Sequence, residues 1–194
     1  MIILKCTTKG VQYRLGGAMN VKCARVGMIL GLLIFTPPSQ GEEARGSDVL
    51  VSRGKYLVTI MDCDGCHSGG ALAGKPDPKR FLAGSEVGLH GALSGLEDGV
   101  FYPSNLTPDK ETGLGTWTDK AIMRAIRQGK RPDGRALSPV MPWSIFAALT
   151  DSDAKAIVAY LRTLTPVKFK VPSNVPFERE ATAAYWKIVK PPEP

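Results

Sequence analysis

Apolar residues Val51, Tyr56, Leu57, Val58 and Ile60 recur among polar ones through residues 48–61 and predict a helix capped by Ser47. Gly54 inside it is a poor helix former, so its presence predicts the close approach of a second helix. Ile122, Ala125 and Ile126 share one face at i, i+3, i+4 spacing, and predict a helix over 119–128 started by Thr118 and stopped at Gly129. Ala156, Ile157, Tyr160, Leu161 and Leu164 form a third stripe. It follows Thr150-Asp-Ser-Asp153, which has the form of a capping box with Asp in place of Glu, and it ends before Pro166. The first and third helices are expected to cross near Gly54 and Tyr160. The run 143–149 reads as a short apolar helix, and Pro132-Asp-Gly-Arg135 as a turn.

Residues 68–115 show little periodicity and much glycine and proline. A loop of this length inside a compact domain is usually functional, and a large flat ligand would give it something to pack on. Phe81, Leu82, Leu89, Leu93, Leu96, Phe101, Tyr102 and Leu106 are its expected apolar contacts. The tail 166–194 is proline-rich and carries Tyr185 and Trp186. The pattern is that of an all-α fold, with short helices, long loops and no strand-rich stretch.

The chain has 194 residues, enough for one domain with appendages. The expected division is an N-terminal extension and signal peptide over 1–41, a domain over 42–165 and the tail over 166–194. Within the first part, Lys22 and Arg25 precede the apolar run Val26–Phe35, and Ser39-Gln40-Gly41 offers small residues for cleavage. Met19 is a candidate start. An uncleaved N-terminal anchor is the alternative, although the run is short for a bilayer span, and no other segment has the length to cross a membrane. The formal charge is +7, but residues 1–41 hold five basic and no acidic residues. The remainder sets 20 basic against 18 acidic residues, which gives no argument for nucleic-acid binding.

Cys63-Asp-Gly-Cys66-His67 is the C-x-x-C-H pattern of covalent c-type haem attachment. Each thiol adds to a haem vinyl group, and the adjacent His67 is held where its imidazole binds iron. A thioredoxin-type disulfide would need a βαβ context, and a zinc site a second pair of ligands, and neither pattern is present. Cys6 and Cys23 fall in the leader. For the second axial position the candidates are Met141, Met61, Met123 and His90. Met141, stiffened between Pro139 and Pro142, is favoured over His90 and over an open site. Met61 sits on the proximal side, and Met123 reads as a core filler. The other ring N–H of His67 is expected to meet a backbone carbonyl in the following loop, with residues 75–78 as the candidate. Arg124, Arg127, Lys130, Arg131 and Arg135 form a basic cluster for an acidic partner or the haem propionates, or simply a solvated face. Trp117 and Asn105 read either as propionate donors or as core.

Ser104-Asn-Leu-Thr-Pro-Asp-Lys-Glu-Thr-Gly-Leu-Gly-Thr-Trp-Thr-Asp119, Arg131-Pro-Asp-Gly-Arg135 and Leu137-Ser-Pro-Val-Met-Pro-Trp143 resemble motifs of the cytochrome c subunits of bacterial membrane-bound alcohol and gluconate dehydrogenases. Residues 159–167 and 171–177 continue the resemblance, which covers most of the chain from Gly54 to Trp186. It implies a class I-like cytochrome c fold, with haem c on Cys63 and Cys66 and with His67 and Met141 as axial ligands. It also implies export, since haem c is attached outside the bacterial cytoplasm, and so a periplasmic location. Such subunits usually carry three modules and a C-terminal anchor, whereas this sequence resembles the first module alone. Relay among several haems and transfer to quinone therefore do not carry over. The expectation is a monohaem electron carrier, not an enzyme, between a dehydrogenase donor and a cytochrome or oxidase acceptor. The alternatives are a haem subunit fixed in a dehydrogenase complex, or a haem sensor with an exchangeable distal ligand.

Overall fold

Two helices that cross at a glycine organise the molecule. The computed structural model describes residues 40–91, 99–189 and 191, and the expected signal peptide lies almost wholly outside them. Helix α1 spans Gln40–Ile60 and α5 spans Asp151–Thr163. They pack at the expected place: a Cβ on Gly54 would lie 2.8 Å from Tyr160 Cβ. Helix α1 starts earlier than Ser47, because helix-forming Glu42, Glu43, Ala44 and Arg45 carry it through that position. Thr150 caps α5 by accepting from the Asp153 N–H at 3.1 Å. The Asp153 carboxylate meets Arg53 of α1 at 2.9 Å, so the box residue also ties the two helices together.

Between them lie α2 (Cys63–His67), α3 (Asp119–Gln128) and α4 (Trp143–Phe146). Thr118 caps α3 as expected, and Gly129 ends it in the left-handed conformation. Arg162 of α5 ties the start of α3 down. Its guanidinium donates to the Leu114 and Trp117 carbonyls at 3.0 and 2.5 Å and to Asp119 at 2.9 Å. Leu57, Val58, Leu82, Leu114, Ile122, Ala156, Ile157, Val158 and Leu161 make up the buried core.

Among its described residues the loop 68–115 holds turns, two short 3-10 helices and two short strands. β1 (Gly88–His90) pairs antiparallel with β2 (Val100–Phe101) and parallel with β3 (Tyr185–Trp186) in the tail. Val175 adds a bridge to Val100. These strands are a departure from the expected helix-and-loop pattern. They have two or three residues each, too few to show a period, and β1 finds its second partner only when the distant tail returns. Of the expected loop contacts Leu82 is fully buried and Phe81 is exposed, while Leu93 and Leu96 fall outside the described residues.

Candidate haem site

The chain turns from α1 into α2 at Asp62, which takes the left-handed conformation (φ 53°). Asp tolerates this better than most residues. A Cβ on Gly65 would meet the Asp62 carboxylate at 2.5 Å, so Gly65 allows the tight turn that puts Cys63, Cys66 and His67 on one short helix. All three line a cavity of about 780 Å³. Val58 of α1 and Met61 just after it, Ile157 and Leu161 of α5, Ile122 and Ala125 of α3, and Leu114 and Trp117 form apolar wall. Val140, Met141 and Pro142 close part of the lining, and Asn174, Val175 and Pro176 of the tail add to it.

His67 Nδ1 lies 2.7 Å from the Ser104 carbonyl oxygen. A carbonyl only accepts, so Nδ1 carries the proton and Nε2 keeps its lone pair for a ligand. The expected backbone acceptor therefore exists, but it is Ser104 and not the 75–78 stretch. That stretch turns back on itself instead: Lys75 and Asp77 donate their N–H groups to the Gly70 and Gly69 carbonyls. No sequence signal marks Ser104, because the acceptor is main chain. Burial lowers the His67 pKa below its usual value, and the Ser104 bond opposes this in part. Burial raises the Cys63 thiol to about 11, with Asp64 adding to it, and raises Cys66 with help from Asp62. Both shifts disfavour the thiolate, chiefly because each sulfur is taken out of water.

The other candidates separate clearly. Met141 shares the cavity lining with His67, and so does Met61 beside Cys63. Met123 packs on the core cluster. His90 is buried on β1, with Nε2 3.1 Å from a Glu178 carboxylate oxygen and its ring near Tyr185, and it is not among the described residues that line the cavity. Asn105 is a hydrogen-bonded core residue outside that lining. In the basic cluster Arg127 pairs with Asp151, and Arg131 and Arg135 flank Asp133 at 3.4 and 3.9 Å. Arg131 stacks over Trp117 at 4.9 Å, and both Arg131 and Arg135 line the cavity.

A family model, Cytochrome c, matches residues 51–165. The chain belongs to the cytochrome c family. Its mostly helical architecture with a few short strands is the class I cytochrome c fold, and membership implies covalently bound haem c. The chain is 33% identical to the fructose dehydrogenase cytochrome subunit of Gluconobacter japonicus, over 83% of its own length and 32% of that protein. It is 31% identical to the gluconate 2-dehydrogenase cytochrome c subunit of Pantoea cypripedii over 86% and 35%. It is 36% identical to the cytochrome c subunit of the quinone alcohol dehydrogenase of Gluconobacter oxydans over 58% and 21%. The cytochrome thus spans about a third or less of the length of these relatives.

The residues present fit haem. The cavity has the volume of a pre-formed ligand site, roughly 300–1,000 Å³, and an apolar wall suited to a flat macrocycle. At its rim are two arginines suited to carboxylates. The buried indole Nε1–H of Trp143 has no hydrogen-bond partner among the described residues, and Trp143 packs on Gly129, where the hairpin bearing both arginines begins.

Proposed function

We propose that this protein is a periplasmic monohaem c-type cytochrome that passes single electrons from a dehydrogenase to a downstream redox protein or oxidase. One observation carries the reading: a C-x-x-C-H helix and Met141 line the same apolar cavity, with the proximal histidine already in its Nδ1–H tautomer. Bound haem supplies a one-electron Fe(III)/Fe(II) couple. The chain's residues do the rest. Cys63 and Cys66 hold the macrocycle as thioethers. His67 Nε2 and the Met141 thioether would hold the iron, and a Met ligand would raise the potential relative to a second His and close the iron to small molecules. Arg131 and Arg135, which line the cavity, would hold the propionates. The apolar wall excludes water, which limits reorganisation when the charge changes. None of these groups forms a bond to a substrate, so the protein is a carrier and not itself an enzyme.

Names of the relatives support a dehydrogenase as donor, since they are cytochrome subunits of sugar, sugar-acid and alcohol dehydrogenases. The same names favour a second reading, a subunit held in such a complex. The leader over 1–41 supports export, with 42–165 as the haem domain and 166–194 as its tail. Among the described residues no helix is long and apolar enough to cross a membrane.

The test is optical and near-infrared spectroscopy of protein made with haem-attachment machinery, as wild type and as Met141→Ala. A low-spin c-type spectrum with a weak near-infrared Met–iron band, lost in the variant, is expected. A wild type without that band would overturn His67/Met141 ligation. Copurification with a dehydrogenase across a range of salt would favour the subunit reading over the free carrier.

A further inference from the structure

Asn105 is 1% exposed and directly follows the residue whose carbonyl holds His67. Its amide uses its full bonding capacity. Nδ2 donates to the Val167 carbonyl at 2.7 Å and to Thr112 Oγ1 at 3.0 Å. Oδ1 accepts from Thr107 N–H at 2.9 Å and from Thr107 Oγ1 at 2.7 Å. The partners are fixed in turn. Thr107 Oγ1 accepts from Val167 N–H at 3.1 Å, and Thr112 Oγ1 accepts from Phe169 N–H at 3.1 Å while donating to Asp109. The main chain on either side of Ser104 is also tied: Ser85 N–H donates to Pro103 O and Leu106 N–H to Leu82 O. One peptide therefore sits between a fully bonded amide and the proximal histidine.

We propose that Asn105 is a positioning residue for His67: its side chain fixes the length and direction of the Nδ1–H···O=C bond to Ser104, and so sets how strongly Nε2 donates to iron. The inference rests on the reading of His67 as an iron ligand. A short, straight bond at Nδ1–H draws the proton toward the carbonyl, which makes the ring a better donor and favours Fe(III) over Fe(II). Ala at position 105 leaves the Val167 carbonyl and the N–H and hydroxyl of Thr107 without these partners. Thr107 is fully buried and Val167 partly so, and the loop must shift to satisfy them. The Ser104 carbonyl moves with that loop, His67 becomes a weaker donor and the reduction potential rises.

The test uses holoprotein and four chains: wild type, Asn105→Ala, the milder Thr112→Val, and Val158→Ala as a core control that does not line the cavity. Three quantities are measured on each: the midpoint potential, hydrogen exchange at His67 Nδ1–H by NMR of the ferrous form, and the thermal midpoint. Asn105→Ala is expected to raise the potential, up to a tenfold change in the oxidation equilibrium or about 59 mV, and to speed exchange at least tenfold. Thr112→Val should do the same to a smaller degree. Val158→Ala should lower the thermal midpoint and leave potential and exchange unchanged. An Asn105→Ala that loses stability but keeps the wild-type potential and exchange would overturn the proposal. If Asn105→Ala yields no holoprotein, Thr112→Val decides by the same two readouts. A wild type without a low-spin, His-ligated spectrum is a different failure, which sinks the ligation reading and leaves Asn105 as a core residue only.

Discussion

Gly54 presses on Ala156 so closely that a Cβ at position 54 would stand 1.9 Å from the Ala156 carbonyl oxygen. The obstacle is main chain, which has no rotamer to change. Gly54→Ala would gain about 1 kcal/mol of helix propensity, but only by prising α1 from α5, an overpacking that costs about 1–3 kcal/mol or more. Val58, Ile157 and Leu161 of these helices line the cavity, so the shift reaches the haem as well. The variant is expected to unfold at lower denaturant concentration and to accumulate less holoprotein. Equal midpoints would show that the two helices can separate without penalty.

Arg162 joins α5 to three acceptors at the start of α3. Removing it in Arg162→Ala leaves the Leu114 and Trp117 carbonyls without this donor, at a cost of about 1–3 kcal/mol. Trp117 is on the cavity wall, so tryptophan fluorescence and near-ultraviolet dichroism should change along with stability. Arg162→Lys keeps the charge but not the fork, and should recover only part of the loss.

The Glu86 carboxylate receives both terminal nitrogens of Arg80, at 2.9 and 3.0 Å. This pairing holds its pKa below the usual 4.5. Because the folded value is the lower one, the contribution to stability is complete above pH 4.5 and is lost as pH falls through the folded value. Both side chains are partly exposed, so the effect is modest and weakens with salt. Glu86→Gln should flatten this acid limb in thermal melts taken between pH 6 and pH 3, about the range over which carboxylates protonate. A limb of unchanged slope would assign the acid sensitivity to other carboxylates.

Two thioethers provide redundancy. With Cys63→Ser or Cys66→Ser alone, haem should remain on the chain in a denaturing gel stained for haem, with an α-band moved to longer wavelength. The double variant should release its haem. Retention in the double variant would place the attachment elsewhere.

Helices α3 and α5 were legible because each carries its own periodic stripe and a cap at its start, whereas α1 was legible from its stripe alone and runs past the expected cap Ser47. Thr118, Gly129 and Thr150 act as their positions imply. The crossing at Gly54 was legible for a related reason: a glycine in an otherwise good helix needs a neighbour to explain it. The haem helix could be read from three residues, two Cys and a His, at fixed spacing. What escaped was the set of contacts in which main chain, or a partner distant in sequence, supplies the other half. Ser104 acts through its carbonyl, so its side chain gives no sign of the role. β1 pairs with a strand at the far end of the chain, and two-residue strands have no pattern to read. Asn105 was seen as polar and worth a question, but only the folded structure shows that all four of its bonds are taken by the protein.

The returning tail also imposes an order on how the molecule is made. Gly88 pairs with Tyr185 and Val100 with Val175, while Asn174, Val175 and Pro176 help line the cavity that α2 opens into. Contacts between such distant residues form late, since a long stretch of chain must first be brought back. The helix bearing the two thiols packs on neighbours close to it in sequence, whereas one wall of the cavity comes from the far end of the chain. The attachment motif is thus a local feature, and the closed cavity is a long-range one.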